Sequence, residues 1–336
     1  MANDIWTIQA ALDWTVGYLE RKGDENPRLS AQWLLSEATG LRRIELYANF
    51  EQPLSMEERD VLRAYVTRRG KGEPLQYITG EVGFRHITVQ VRPGVLIPRP
   101  ETEVLVSEAL ALLPAAPKRV AADSMSQRDG VNVSCADARA DDPSEPVESP
   151  AASESPEPSE PPELLVADLC TGSGCIACSV AYEHPLARVV ATDIAPEAVA
   201  LARDNVAALE LSGRVDVLAC DLGEGIDDAL LGAFDLVVSN PPYVPTAVMD
   251  GIPREVAAFE PALALDGGAD GLDVLRRLLP FCRRALKEGG AFAFELHETC
   301  LDEAARLAGD AGFADVRIVS DLAQRPRVLT GRKPLA

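Results

Sequence analysis

The stretch Leu164-Leu165-Val166-Ala167-Asp168-Leu169-Cys170-Thr171-Gly172-Ser173-Gly174 passes from an apolar run into a glycine-rich turn, and helical spacing follows it. A short apolar run bounded by glycines is typical of a buried strand. Glycines at such a turn let backbone N–H groups approach a ligand closely, and the helix N-terminus behind them favours an electron-rich group. The stretch therefore predicts a strand, a turn and a helix, with a ligand at the carboxyl end of the strand.

The alternation of strand and helix continues to the end of the chain. Strands are predicted at residues 164–169, 188–193, 214–220, 234–239, 291–296, 315–320 and 327–331. Helices are predicted at 175–183, 196–209, 270–287 and 301–311. Because this alternation builds a mostly parallel sheet with helices on both faces, we expect an α/β fold that binds its ligand at the carboxyl ends of the strands.

The rest of the chain divides into three parts. Residues 1–75 have helical spacing and predict a small helical bundle, and residues 76–95 predict a β-hairpin that links it to the α/β domain. That domain comprises residues 96–113 and 164–336. Between them, residues 114–163 are acidic and rich in Pro, Ser and Glu, so we expect a disordered insertion that cannot offset its ordering entropy.

Charge and cysteine content disfavour several classes of function. The formal net charge is −21, and no basic stripe stands out, which counts against a protein that binds DNA through its phosphates. The 7 cysteines lack paired spacing, which indicates free thiols in a reducing compartment. No metal site is expected, since Cys175-Ile176-Ala177-Cys178 has no second pair at zinc-ligand spacing. Without a signal segment or a long apolar run, the sequence favours a cytoplasmic protein, and nothing in it requires more than a monomer.

Acidic residues close the next two predicted strands. Asp193 can bind the paired hydroxyls of a ribose, and Asp221 can line a base pocket. A nucleoside-containing cofactor is therefore expected. Its predicted binding residues are Asp168, Cys170, Thr171, Gly172, Ser173, Gly174, Asp193, Asp221, Leu222 and, beyond the fourth strand, Asn240. The glycine turn also fits a dinucleotide fingerprint, but an Asp168 anion facing the cofactor suits the cationic methionyl group of S-adenosylmethionine better than a pyrophosphate.

The fourth predicted strand stops at Asn240-Pro241-Pro242-Tyr243. The prolines have no N–H to continue a ladder, and a residue before proline is held extended, so the Asn240 amide is offered at the strand's carboxyl end. Carbonyl acceptors and the flat Tyr243 ring nearby suit a planar NH2 group whose nitrogen is attacked, so catalytic roles are predicted for all four residues. Hydride transfer does not need such a site, which also favours S-adenosylmethionine. The alternative is an ordinary turn, and the tetrapeptide alone leaves nucleobase and amide targets open.

Three longer segments resemble a known family. They are Gly72-Glu73-Pro74-Leu75-Gln76-Tyr77-Ile78-Thr79-Gly80, Val95-Leu96-Ile97-Pro98-Arg99-Pro100-Glu101-Thr102-Glu103 and Glu260-Pro261-Ala262-Leu263-Ala264-Leu265-Asp266-Gly267-Gly268-Ala269-Asp270-Gly271-Leu272. Together with the tetrapeptide they look like the protein-glutamine methyltransferases of peptide chain release factors (PrmC/HemK family). The resemblance covers nearly the whole chain outside residues 114–163.

The resemblance implies a seven-stranded Rossmann-like, S-adenosylmethionine-dependent methyltransferase domain whose last strand is antiparallel. It implies N5-methylation of the glutamine in the Gly-Gly-Gln motif of class 1 peptide chain release factors, which residues 1–75 would recognise. The Asn240 oxygen and the Pro241 carbonyl would each accept one N–H of the target, while Tyr243 and Pro242 hold its plane. Alternatives are a ribosomal-protein glutamine methyltransferase, a nucleic-acid amino-group methyltransferase, which the acidic sequence disfavours, and a cofactor sensor without turnover.

Two positions depart from the family's pattern. Cys170 stands where the family usually has glycine, so a backbone that needs positive φ there would be strained. His297 follows the acidic Glu295 at the end of a strand, near a position where the family often has glycine. We interpret it as a loop histidine and not as a catalytic base. Glu295 is either a plain strand-end acid or a positioning residue, and Arg99 is either a surface charge or a cofactor-pocket residue.

Overall fold

The computed structural model describes residues 6–115 and 163–336. The insertion expected at residues 114–163 lies outside the described residues, apart from its first two residues and its last. The described residues belong to one compact unit. No helix in this part of the chain is long and apolar enough to cross a membrane.

The N-terminal part is helical. Its elements are α1 (Ile8–Arg21), α2 (Pro27–Thr39), α3 (Arg43–Ala48), α4 (Met56–Arg69) and α5 (Leu75–Thr79). Ser55 and Glu58 form the capping box that starts α4, which satisfies two backbone N–H groups that would otherwise lack partners. The sequence did not predict α3 and α5, because five or six residues are too few turns to show a helical period.

A hairpin follows the helices. Strands β1 (Glu81–Phe84) and β2 (Ile87–Gln90) pair antiparallel. The hairpin is fastened to the larger sheet domain by buried Asn205, which accepts the Gln90 N–H at 2.7 Å and donates to the Gln90 carbonyl at 3.0 Å. The same amide donates to the Ser173 carbonyl at 2.9 Å, so one side chain links the hairpin to the glycine turn.

The sheet has seven strands within the described residues. They are β3 (Leu164–Leu169), β4 (Ala187–Asp193), β5 (Val215–Ala219), β6 (Phe234–Ser239), β7 (Leu286–Glu295), β8 (Ala314–Ser320) and β9 (Pro326–Arg332). Their order is β5-β4-β3-β6-β7-β9-β8. Strand β9 runs in the opposite direction to the other six strands. This topology confirms the predicted fold class.

Helices cover both faces of the sheet. They are α6 (Thr102–Leu112), α7 (Cys175–Glu183), α8 (Pro196–Ala208), α10 (Asp273–Ala285) and α11 (Leu301–Asp310). The short helix α9 (Arg254–Phe259) has no buried residue. One buried cluster includes Leu105 and Ile176, and the other includes Leu278 and Leu301. The predicted helix at 270–287 began three residues too early and ended two residues too late, and at its end Leu286 continues the apolar spacing but pairs with Phe234 as the start of β7.

The strand order fixes where a ligand can bind. The chain returns from β5 to the other side of β3, so β3 and β6 flank the point where the order reverses. In open α/β sheets, the loops at the carboxyl ends of such strands separate and leave a crevice. The glycine turn and the tetrapeptide both lie there.

Candidate active site

A cavity of about 300 Å³ opens at the carboxyl ends of the strands. Nine of the predicted site residues line it: Cys170, Thr171, Gly172, Ser173, Asp193, Asp221, Leu222, Asn240 and Pro242. Four others, Asp168, Gly174, Pro241 and Tyr243, are not in the lining. The two motifs predicted from distant parts of the sequence thus face one enclosed space.

Asp193 holds the glycine turn in place. Its carboxylate accepts the Gly172 N–H at 2.8 Å with one oxygen and the Ala195 N–H at 2.9 Å with the other. Burial raises the pKa of Asp193, and these backbone N–H groups oppose that effect by stabilising the ionised form. The carboxylate therefore shapes the turn and also faces the cavity.

Gly174 contributes to the site by packing and not by facing the cavity. It has φ +80°, and a Cβ built there would lie 3.1 Å from the Cβ of Ala202 on α8. Such a distance is too short for an unstrained contact, so glycine lets α7 and α8 approach each other behind the turn.

The structure places Asp168 outside the cavity lining. The side chain is fully buried beneath the cavity, where one oxygen accepts from the Thr171 hydroxyl at 2.5 Å and from the Ala177 N–H at 3.0 Å. Burial raises the pKa of Asp168 to about 7, against the effect of those two hydrogen bonds. Asp168 therefore lies behind the cavity lining, near the carboxyl end of β3. Its Oδ1 makes no hydrogen bond within the described residues.

Cys170 has φ +59°, so the strain expected at this position is present. The residue lines the cavity, and burial is the main cause of a raised pKa of its thiol. A left-handed backbone brings Cβ too close to the following carbonyl in any L-residue except glycine. The thiol is neutral at physiological pH and acts here as a small apolar wall.

We expect Cys170→Gly to be more stable than Cys170→Ala, the reverse of the usual order. Both variants lose the sulfur, but only alanine keeps the strained Cβ, so the difference should be about 1 kcal/mol in the free energy of unfolding. Urea unfolding of the two purified variants measures it. An alanine variant at least as stable as the glycine variant would contradict the assignment of strain.

The cavity wall at Asp221 contains an ion pair that the sequence did not predict. Asp221 accepts from the Arg277 guanidinium at 2.7 Å, and both residues line the cavity. Arg277 lies on α10, 56 residues further along the chain, so no local pattern connects them. Arg277 therefore belongs with Asp221 among the candidate binding residues.

The side chain of Asn240 is held by a residue at the start of helix α6. Its Nδ2 donates to the hydroxyl of buried Thr102 at 3.2 Å. One N–H of the amide is thus already used, whereas the sequence left it free. The amide oxygen makes no hydrogen bond within the described residues, so it is the available acceptor at the end of β6.

Tyr243 is anchored away from the cavity lining. Its hydroxyl donates to Glu295 at 3.0 Å, and burial raises the pKa of both side chains. Glu295 is 1% exposed at the end of β7, which favours a positioning residue over a plain strand-end acid. His297 bonds within its own loop to Thr299 at 2.8 Å, as a loop histidine would.

Arg99 lines the cavity, which favours the cofactor-pocket alternative over a plain surface charge. Its guanidinium donates to Glu260 at 2.5 Å, and Glu260 also accepts the Ile97 N–H at 3.4 Å. Two of the segments that carry the family resemblance therefore meet at the cavity through a carboxylate that is 6% exposed.

The sheet order, the glycine turn and the polar strand ends are those of a Rossmann-like methyltransferase. The family model described as the PrmC N-terminal domain matches residues 10–80, and the methyltransferase small domain matches residues 159–253. A release factor glutamine methyltransferase of Geobacter sulfurreducens is 39% identical, with 98% of each chain covered. One of Rhodopirellula baltica is 35% identical, covering 98% of this chain and 97% of the relative. This chain belongs to the family of release factor glutamine methyltransferases, as its motifs predicted.

Solved structures are similar to this chain at lower sequence identity. A ribosomal protein L11 methylase from Lactobacillus delbrueckii subsp. bulgaricus is 24% identical, covers 52% of this chain and 72% of its own, and has a TM-score of 0.37.

Proposed function

We propose that this chain methylates N5 of the glutamine in the Gly-Gly-Gln motif of class 1 peptide chain release factors, with S-adenosylmethionine as the methyl donor. The observation that carries the proposal is one cavity lined by the glycine turn, Asp193 and Asn240 together. A nucleoside site and an amide-binding side chain then adjoin each other, as methyl transfer requires. The names of the relatives support a release factor as the substrate.

The residues present fit S-adenosylmethionine. Asp193 would bind the ribose hydroxyls, and Asp221 with Leu222 would hold the adenine. The unpartnered, buried Oδ1 of Asp168 is an acceptor suited to a positively charged group from above. When bound, S-adenosylmethionine supplies a methyl group activated by a positively charged sulfur.

Positioning of the target amide is the main catalytic task of the chain. An amide nitrogen is a poor nucleophile because its lone pair is delocalised into the carbonyl, so orientation and hydrogen bonding must supply the activation. The Asn240 oxygen and the Pro241 carbonyl would accept the two N–H groups of the target. Their dipoles would then stabilise positive charge as it develops on the nitrogen.

The helical N-terminal part would recognise the release factor. Arg69 at the end of α4 pairs with Glu255 on α9 at 3.0 Å, and α9 follows the catalytic tetrapeptide in the chain. A substrate bound on the helices would therefore contact elements joined directly to the site. This arrangement supports a protein substrate large enough to span both parts.

The proposal is tested with methyl-tritiated S-adenosylmethionine and the purified full chain. The acceptors are a class 1 release factor, its Gly-Gly-Gln→Gly-Gly-Ala variant, ribosomal protein and duplex DNA. We expect label on the unsubstituted release factor alone, with mass spectrometry assigning it to the glutamine side chain. Label on the alanine variant, or on ribosomal protein or DNA in place of the release factor, would refute the proposed target. Cofactor binding without label on any acceptor would point to a sensor.

A further inference from the structure

A cation on helix α10 forms part of the cavity wall. Arg277 extends from α10 to the loop that follows β5, where its Nη2 donates to Asp221 Oδ2 at 2.7 Å. A second carboxylate oxygen, Glu224 Oε1, lies 4.0 Å from the guanidinium. Arg277 and Asp221 both line the cavity, so their ion pair is in a position to contact a ligand there.

The carboxylate of Asp221 keeps one oxygen available. Oδ2 accepts from Arg277, whereas Oδ1 makes no hydrogen bond within the described residues. An ionised carboxylate has no proton to donate, so Oδ1 can only accept. The Asp221 side chain is 34% exposed, which leaves space for a ligand to approach it. Arg277 therefore fixes one oxygen and leaves the other to meet a hydrogen-bond donor.

The cavity wall beside the ion pair is apolar. Leu222 follows Asp221 in the chain, and Val274 precedes Arg277 by three residues, so it lies on the same face of α10. Both residues line the cavity. Such a wall suits a planar ring with an N–H donor at its edge, because the ring contacts the apolar groups while its edge meets the acceptor. The 6-amino group of adenine is a donor of that kind, whereas hypoxanthine carries an acceptor oxygen at the same position.

We propose that Arg277 is a specificity-determining residue of the cofactor site, because it holds Asp221 with Oδ1 directed at the 6-amino group of adenine. Arg277 acts through Asp221 and is therefore a positioning residue. Its guanidinium also compensates the charge of the carboxylate when the ring covers it, since a buried charge without a partner is costly. A base with oxygen at position 6 would oppose its lone pairs to those of Oδ1. The inference rests on the proposed function, since it concerns the adenine of the proposed cofactor.

The test replaces the carboxylate by an amide. Asp221→Asn keeps nearly the same shape but presents one acceptor and one donor. Only the hydrogen-bond partners of an amide decide which of these two groups faces which way. Arg277 can only donate, so it should bind the amide oxygen and turn the amide nitrogen toward the base. The preference of the site should then pass from a 6-amino group to a 6-oxygen.

Calorimetry on the full chain compares S-adenosylhomocysteine with S-inosylhomocysteine, which has oxygen in place of the 6-amino group. We expect the unsubstituted chain to bind the adenosyl ligand about 10- to 100-fold more tightly, as one hydrogen bond to a charged group allows. Asp221→Asn should bind the inosyl ligand about threefold more tightly or better. In the double variant Asp221→Asn and Arg277→Met, the two affinities should agree within about twofold, because no guanidinium then fixes the amide.

The matched control is Arg276→Met. Arg276 is the neighbouring residue on α10, pairs with Asp270 at 2.5 Å and is not among the residues that line the cavity. Combined with Asp221→Asn, this substitution should leave the reversed preference unchanged. The inference is overturned by an unsubstituted chain without adenosyl preference, by Asp221→Asn without reversal, or by a reversal that survives Arg277→Met.

The binding comparison needs no methyl acceptor, so it is separate from the test of the proposed function. If the preference follows Arg277 as stated but no release factor is labelled, the proposed target fails and the inference stands. If the release factor is labelled but the preference does not depend on Arg277, the inference alone fails.

Discussion

Asn240→Ala is expected to abolish detectable methylation of the release factor, with kcat lowered by at least about 10²- to 10³-fold. The substitution removes the Asn240 amide oxygen, which makes no hydrogen bond within the described residues and is proposed to accept from the target amide. It leaves the Pro241 carbonyl, which alone cannot orient both N–H groups. The measurement is single-turnover transfer of a tritiated methyl group, which separates chemistry from product release.

The same variant should bind S-adenosylmethionine within about tenfold of the unsubstituted chain, because Asn240 is one of many residues that line the cavity. Loss of this one lining side chain should have a modest effect on the dissociation constant and none on the fold. Calorimetry and the melting temperature provide these controls. Activity of Asn240→Ala within threefold of the unsubstituted chain would refute the role assigned to the tetrapeptide.

The elements around the site could be predicted from sequence because their ends carry strong chemical signals. β3, β6 and α7 begin and end at the predicted residues. A glycine turn ends β3, and two prolines end β6, so the backbone itself leaves little freedom there. At β7 the pair Gly289-Gly290 resembles a turn signal, but the strand runs through it from Leu286, so the start predicted at residue 291 was wrong by five residues.

The partners of the site residues could not be predicted in the same way. Thr102 and Asn240 are 138 residues apart in the chain, and Tyr243 and Glu295 are 52 apart. Local periodicity reports the type of an element but not which distant side chains meet when the sheet forms. The only sequence signal for Thr102 was its place in the 95–103 segment. For Glu295 it was its position at a strand end.

The sequence also did not show how deeply the side chain of Asp168 is buried. The sequence places Asp168 near the carboxyl end of β3, but strand alternation does not tell whether its side chain faces the cavity or the packed helix behind it. In the structure it bonds to the Ala177 N–H on α7, below the turn. Of Asp168 and Asp193, the more exposed Asp193 is therefore the one that lines the cavity.

Asp193→Ala is expected to raise the dissociation constant of S-adenosylmethionine about 100-fold or more, corresponding to about 3 kcal/mol for two lost charge-assisted hydrogen bonds and the ribose contact. The carboxylate accepts from Gly172 and Ala195, so its loss leaves two N–H groups without a partner and frees the glycine turn. Calorimetry on the full chain measures the effect. The matched control is Asp204→Ala, because Asp204 is exposed on α8 and pairs only with Arg92 within the described residues.

Asp193→Ala and Asn240→Ala should lose activity for different reasons, and comparing the two variants is the sharper test. Asp193→Ala should recover much of its activity at saturating cofactor, because Asn240 still orients the target, whereas no cofactor concentration should restore Asn240→Ala. If Asp193→Ala binds S-adenosylmethionine within threefold of the unsubstituted chain, the cofactor does not use the end of β4. The ribose site would then have to be sought elsewhere in the cavity, with the Asp221 and Arg277 pair the next acidic position along the sheet edge.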